Sequence, residues 1–460
     1  MDTPPPAFWS PTRFFEQHAV TLKLAWVLFL VLILLIPLAM IRGVLQERKG
    51  RRDGAVAEIN SSWGNPQTIL GPVLVVPYRY SGKAWREQMV NGRMERTEID
   101  EPRTANAYFL PEELAIEGNV IPQNLHRGIY EAVVYEGKVD ISGRFAAPDF
   151  AGLGIAPDQV LWKNAEVTLG VSDLRGTGKT LSMEMDGRFY EFTPGCRLSG
   201  MASGITARAP DLRTDAAAWD FRLSLALKGS QSIRFAPVGK QNRIQLASPW
   251  PDPSFQGAFL PVERHVTPEG FSASWEISWY GRNYPQASTD QSNPPALASN
   301  VLQPSLFGVN FFAPVDAYRL VERGMKYGAL FIALAFTAFF LFEILAAARI
   351  HSVQYTLVGA ALCLFYLALL SLSEFILFAY AYWIGAAAST LLITLYCMTV
   401  LGTGKRTLRM GAALLAIYAY LYGVLQLQDY SLLLGTVGLF MVLGVVMYAT
   451  RNLEKSARPE

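Results

Sequence analysis

The pattern of apolar and polar positions divides this chain into a short apolar run, a long mixed stretch and a long apolar tract. The tract, residues 327–448, is cut into pieces by Arg349 and His351, by Glu374, by Lys405, Arg406 and Arg409, and by Asp429. A helix needs ~20 mostly apolar residues to cross a hydrocarbon core ~30 Å thick, and the pieces have about that length. The pattern predicts five membrane helices, near residues 327–348, 355–372, 375–401, 410–427 and 430–448. Near the start, residues 22–41 are apolar apart from Lys23 and end in Met40-Ile41-Arg42, with no small-residue cleavage pattern behind them. That is an uncleaved signal anchor rather than a signal peptide, and it brings the expected number of transmembrane helices to six.

Between the two apolar regions the period changes from helical to two. Phe221, Leu223, Leu225 and Leu227 alternate with Arg222, Ser224 and Ala226. Phe271, Ala273, Trp275, Ile277 and Trp279 alternate with Ser272, Ser274, Glu276 and Ser278. Leu181, Met183 and Met185 lead into Asp186-Gly187 and out through Arg188 to Phe192, a hairpin signal. Val73 to Val76 reads as a short, wholly apolar strand bounded by prolines. Alternation buries one face of each strand and wets the other. The expected fold is therefore an α+β membrane protein: six transmembrane helices with a large, all-β, sandwich-like and antiparallel domain inserted between helices 1 and 2.

The corresponding division is 1–21, a cytoplasmic N-terminal segment opened by Pro4, Pro5 and Pro6; 22–45, the first helix; 46–322, a periplasmic β-rich domain; 323–449, a five-helix bundle; and 450–460, a cytoplasmic tail. Residues 46–60 lack proline and place Val56 and Ile59 so that the first helix continues beyond the membrane. Glu47 stands four residues before Arg51, a spacing that supports an exposed helix. Pro294-Pro295 marks the lead-out from the sheet, and residues 315–326 read as a polar helix start.

Charge sets the orientation. Arg349, then Lys405, Arg406 and Arg409, then Arg451, Lys455 and Arg458 follow alternate helices, whereas the turns at Glu374 and Asp429 carry no Lys or Arg. The bias of short loops toward basic residues on the cytoplasmic side puts both termini in the cytoplasm and the large domain outside. Arg42, Arg48, Lys49, Arg51 and Arg52 run against this assignment, either as a solvated helix face or as contacts to anionic headgroups. The apolar fraction of 51% and the mean hydropathy of +0.21 suit a membrane protein, and a net charge of +2 gives no argument for nucleic acid. Of three cysteines, Cys363 and Cys397 fall in predicted helices and Cys196 in the soluble part, so no disulfide or zinc pattern arises.

Candidate chemistry is sparse. Gly176-Thr177-Gly178-Lys179-Thr180 has the end of a phosphate-binding loop, but Asp173 stands where the first glycine belongs; an inter-strand loop is the plainer reading. His126 and His265 are isolated. The tryptophans at 63, 85, 162, 219, 275 and 279, with Trp250-Pro251-Asp252-Pro253, could line a glycan cleft with flanking carboxylates, or could be core. Glu343 and Glu374 are the ionisable groups of the membrane region, each near an end of a span. Gly359, Gly385-Ala386-Ala387-Ala388, Gly435 and Gly438 fit close helix packing. Catalytic residues are thus unknown, and no cofactor or metal is expected.

Trp63-Gly64-Asn65-Pro66-Gln67 followed by Gly71-Pro72-Val73-Leu74-Val75-Val76-Pro77 resembles the opening motif of the CreD family of bacterial inner-membrane proteins. Ser248-Pro249-Trp250-Pro251-Asp252-Pro253-Ser254-Phe255, Gly257-Ala258-Phe259-Leu260-Pro261, Pro314-Val315-Asp316-Ala317-Tyr318, Lys326-Tyr327 and Phe339-Phe340-Leu341-Phe342-Glu343 continue the likeness. So do His351 with Gln354-Tyr355, and Leu370-Ser371-Leu372-Ser373-Glu374. The resemblance implies a Gram-negative envelope-integrity protein tied to envelope or antibiotic stress, and it carries over no catalytic residues. Two functions stay open: binding of periplasmic protein, glycan or lipid through the β domain, or an envelope glycan- or lipid-processing enzyme or lipid-handling protein.

Overall fold

The computed structural model describes residues 19–90, 93–178, 180–212, 216–292, 297–311, 317–346, 351–401, 404–427 and 430–450. Pro294-Pro295, Arg349, Asp429, Lys179 and the basic residues beyond Thr450 lie outside them. The chain forms two compact units, Gly54–Pro314 and a second made of Met1–Asp53 with Val315–Glu460.

The first unit is built on strands β1 (Gln67–Val90), β2 (Arg93–Phe109), β3 (Glu113–Arg127), β4 (Tyr130–Ala146), β5 (Glu166–Val171), β6 (Ser182–Met185), β7 (Arg188–Pro194), β8 (Gly204–Arg208), β9 (Ala218–Ser230), β10 (Ser232–Phe235), β11 (Gln241–Ser248), β12 (Pro253–Gly257), β13 (Glu263–Thr267), β14 (Gly270–Ser278), β15 (Ala287–Thr289) and β16 (Phe307–Phe311). They pair in the order β12-β16-β10-β1-β5-β8-β7-β6-β9-β4-β3-β11-β14-β13, with β2 and β15 branching from β1. β7 joins the two halves, its first part pairing with β6 and Phe192–Pro194 with β8. One apolar core takes Val73, Val75 and Leu169 from one half and Ile141, Leu225 and Trp275 from the other. The ribbon therefore curls around a single core. Its two terminal strands, β12 and β13, are neighbours in sequence.

Alternation produced the strands where expected. β9 buries Phe221, Leu223, Leu225 and Leu227, and β14 buries Phe271, Ala273, Trp275 and Ile277. Trp279 departs from the pattern: β14 ends at Ser278, and Trp279 opens a 3-10 turn with 37% exposure. Asp186 and Gly187 have φ of 51° and 73° between the paired Met185 and Arg188, the left-handed conformation a two-residue hairpin requires.

Two features depart from the sequence reading. The sheet is not purely antiparallel, because β1 pairs in parallel with β10 and β3 with β11. Parallel partners need a crossover, and here each pair is distant in sequence, beyond the reach of local pattern. The short strand expected at 73–76 is also only the buried part of β1. Beyond Tyr78, which bridges to Val160, β1 pairs only with β2, in register to Val90↔Arg93. Trp85 on this projecting hairpin is 59% exposed. Among the described side chains the hairpin is exposed on both faces, as at Trp85 and Arg86 and at Glu101 and Pro102, so this part needs no apolar alternation.

In the second unit α1 (Ala19–Trp63) is one helix that continues well past the apolar run and whose last turns belong to the first unit. Then come α2 (Ala317–Lys326), α3 (Gly328–Ala346), α4 (Ser352–Leu372), α5 (Phe378–Leu401), α6 (Gly404–Gln426) and α7 (Ser431–Thr450). Val27, Leu30, Leu34, Leu38, Ile41 and Leu45 of α1 enter the bundle core, while Leu28, Leu32, Ile36 and Met40 stay exposed. An apolar stripe inside and an apolar face outside is what lipid surroundings allow. Among the described residues four helices are long and apolar enough to span a membrane, or five if α2 and the start of α3, bent by 52°, count as one. Gly359 lets α4 approach closely: a Cβ there would lie 2.9 Å from the Phe336 ring.

Candidate functional site

One organised polar surface of the β unit is the outer face of strands β9, β4, β3, β11, β14 and β13. The alternation that buries Leu225 and Trp275 turns their neighbours outward. Ser224, Asp140, Glu117, Gln245, Ser274 and Glu263 form one row across all six strands, each beside the next. A groove of about 590 Å³ is lined by Glu117, Lys138, Asp140, Gln245, Glu263 and His265. A second, of about 680 Å³, is lined by Arg144, Asp220, Arg222, Arg243 and Glu276. Many of these charges are already matched: Lys138–Asp140 at 3.3 Å, Arg144–Asp220 at 2.7 Å and Arg243–Glu276 at 3.4 Å.

The electrostatics of this face do not mark Asp140 as a general acid. The Ser224 hydroxyl holds the Asp140 carboxyl below its usual range against slight burial, with help from Lys138. Asp220, through its hydrogen bond and its charge, raises Arg144 further. A general acid in glycoside cleavage needs a carboxyl raised above the ordinary range. Asp140 is shifted the other way.

The tryptophans do not assemble into a cleft. Trp219 and Trp275 are core, at 1% and 0% exposure. Trp162 packs edge-on against Phe150 and Trp219, and Trp250 against Phe311. Trp85 is out on the hairpin, and the Trp250 indole donates to the Asp252 carbonyl at 3.0 Å. Phe255 of the same motif packs on Phe271 and Trp275, so that stretch is an edge strand seated on the core. His126 is exposed opposite Glu131, and His265 is exposed on β13. Among the described residues no group of three or more His, Cys, Asp and Glu is placed to hold a metal. Gly176 and Thr177 make a turn closed by the Thr177 N–H on the Leu174 carbonyl, as an inter-strand loop would.

The Trp63–Gln67 motif has a structural task that spacing alone does not reveal. The Asn65 backbone N–H and side-chain amide donate to Asp173 Oδ2 at 3.0 and 3.1 Å. The Gln67 amide donates to the Asp173 and Lys228 carbonyls at 2.8 and 2.6 Å and accepts from the Asp173 N–H. Arg175 grips both oxygens of Asp173, which is 7% exposed. Trp63 donates to the Tyr135 carbonyl, and the Lys228 ammonium lies 4.0 Å over its ring. A Cβ on Gly64 would lie 2.7 Å from the Lys228 carbonyl oxygen. Burial alone would raise the Asp173 carboxyl, but the Arg175 side chain and the backbone N–H groups of Asn65 and Arg175 outweigh it, leaving the pKa at about 2.

In the helical unit both membrane carboxylates have partners. Glu374, in the turn after α4, is 8% exposed at its side chain; it lies 3.7 Å from Arg48 and accepts the Tyr318 hydroxyl at 3.0 Å. Arg52 stacks 5.2 Å over the Tyr318 ring, and Lys49 meets Glu322 at 3.5 Å. Glu343 accepts the Tyr355 hydroxyl at 2.9 Å. The basic run after the first apolar segment is therefore partly matched by acids of the same unit.

Helices of membrane-spanning length and composition, joined to a large β-rich unit, define an integral membrane protein with a folded non-helical domain. Sequence comparison makes this specific. The family model described as Inner membrane protein CreD matches residues 19–456. Inner membrane protein CreD of Escherichia coli (strain K12) is 32% identical over 454 residues, covering 98% of this chain and 94% of that protein. The chain belongs to the CreD family of inner membrane proteins, in agreement with the likeness read from its motifs.

Proposed function

We propose that this protein supports cell-envelope integrity under envelope or antibiotic stress by binding a periplasmic protein, glycan or lipid through the outer face of its β unit. The observation that carries this reading is the six-strand polar row, with its two grooves and its matched charges. Such a face presents hydrogen-bonding groups at fixed spacing and holds Asp140 ionised. In this reading α1, α3 (with the bent polar helix α2 leading into it) and α4 to α7 make six spans, with both termini cytoplasmic and the β unit periplasmic. The Arg48–Glu374 and Lys49–Glu322 pairs support that orientation, because they lessen the weight of the basic run that opposes it. Alkaline phosphatase fused at Gly187 should be active and at Gly404 inactive; the reverse pattern would overturn the topology.

A photo-reactive residue tests the binding face. Placed at Gln245 in living cells, it should give a discrete adduct, while the same residue at exposed Asp158 should not. Adducts of equal yield at both positions, or none at Gln245, would remove the face from consideration.

A further inference from the structure

The helix α2 has a charge pattern that the bundle leaves incomplete. Val321, Gly324 and Met325 face inward, and Glu322 is matched from two sides, by Lys49 at 3.5 Å and Lys326 at 3.9 Å. Arg319 and Arg323 stand one turn apart on a common face. Like charges at that spacing repel, and neither has an acidic partner among the described residues. Arg319 is exposed; Arg323 is half-buried, with its Nη2 closed off from water and without an acceptor. A buried guanidinium N–H without a partner is costly, so an outward turn of the Arg323 side chain to an acceptor supplied from outside the chain, beside exposed Arg319, would be favoured.

The geometry says where such an acceptor resides. α2 is bent by 52° from the membrane-crossing helix that follows it. An amphipathic helix with basic residues, turned away from the span it precedes, lies in the headgroup layer. The nearby cations of α1 are already matched, Arg48 by Glu374, Lys49 by Glu322 and Arg52 by Asp53, so among the described residues Arg319 and Arg323 carry the uncompensated positive charge here. We infer that Arg319 and Arg323 form a binding site for the phosphate of an anionic phospholipid. Arginine suits the task because its planar fork matches phosphate oxygens. Anionic lipid is favoured over zwitterionic lipid because the site has net positive charge to neutralise.

The test uses the full-length protein in detergent, titrated with phosphatidylglycerol or phosphatidylcholine, with bound lipid counted by native mass spectrometry. The wild type should retain phosphatidylglycerol in preference. Arg319→Gln with Arg323→Gln should weaken that retention by roughly ten-fold or more, whereas Arg208→Gln with Arg264→Gln, on the β unit, should leave it unchanged. Arg319→Gln alone, at an exposed position, should fold normally and give a partial loss. Equal retention of the two lipids by the wild type, or unchanged retention in both Arg319 variants, would overturn the site. Full displacement by inorganic phosphate would show a free-anion site and overturn the lipid assignment.

Discussion

Asp173 in the β unit and Arg323, beside exposed Arg319, in the helical unit are both charged groups drawn partly out of water, and they are treated in opposite ways. Asp173 is enclosed by donors: Asn65, the Arg175 backbone and the Arg175 guanidinium supply N–H groups to its two oxygens. Nothing of its bonding capacity is left for a ligand. The two arginines share a face, repel each other and include a nitrogen with no acceptor. A closed cluster serves the fold, and an open one serves something the fold does not contain. The comparison also assigns the Trp63–Gln67 motif to architecture, since its polar members go to the Asp173 cluster.

The largest effect expected from this contrast is on stability. Asp173→Ala strands the Asn65 and Arg175 donors and should destabilise the β unit by about 3 kcal/mol. Arg319→Gln with Arg323→Gln breaks no ion pair among the described residues and should not destabilise detergent-solubilised protein, because the buried Arg323 N–H it removes has no acceptor to lose. Denaturant unfolding followed by tryptophan fluorescence compares them, and similar losses in both would erase the distinction. Acid gives a second reading of the same cluster. The Asp173 carboxyl is depressed from an ordinary value near 4 to about 2, so its contribution of about 2 kcal/mol is fully present above pH 4 and lost as pH falls through 2. Asp173→Asn should lack that component of acid sensitivity. An unchanged acid profile in the variant would mean that other groups carry it.

A smaller effect isolates backbone from side-chain chemistry. Gly187 has φ of 73°, and a Cβ there would meet nothing within 4 Å. Gly187→Val should therefore cost about 1–2 kcal/mol through the left-handed backbone alone, and Arg188→Val much less. Equal protease resistance of the two variants would contradict the hairpin geometry.

What the sequence made legible follows the same physical division. Half-buried strands announce themselves by alternation, as in β9 and β14, and the Asp186-Gly187 turn by its residue types. The projecting part of the β1–β2 hairpin is not legible in the sequence because it carries no alternation; Asn91-Gly92, between the paired Val90 and Arg93, is the available turn signal. Asp173 looked like a failed glycine of a nucleotide loop, since its partner Asn65 is 108 residues away and Gln67 is 106 away. The polar row on the outer face combines six strands from distant parts of the chain. Each member reads in sequence as an ordinary outward residue, and only the register places them side by side.

If the outer face of the β unit works by binding and not by proton transfer, single carboxylate-to-amide changes on it should leave function intact. In cells lacking the gene, Glu117→Gln, Asp140→Asn and Glu263→Gln, each expressed alone, should restore wild-type resistance to detergent and β-lactam. Reversing two cations together, Arg144→Glu with Arg243→Glu, should not. If any one amide abolished complementation while the protein still folded and accumulated in the membrane, that carboxylate would be doing chemistry and the binding account would be wrong.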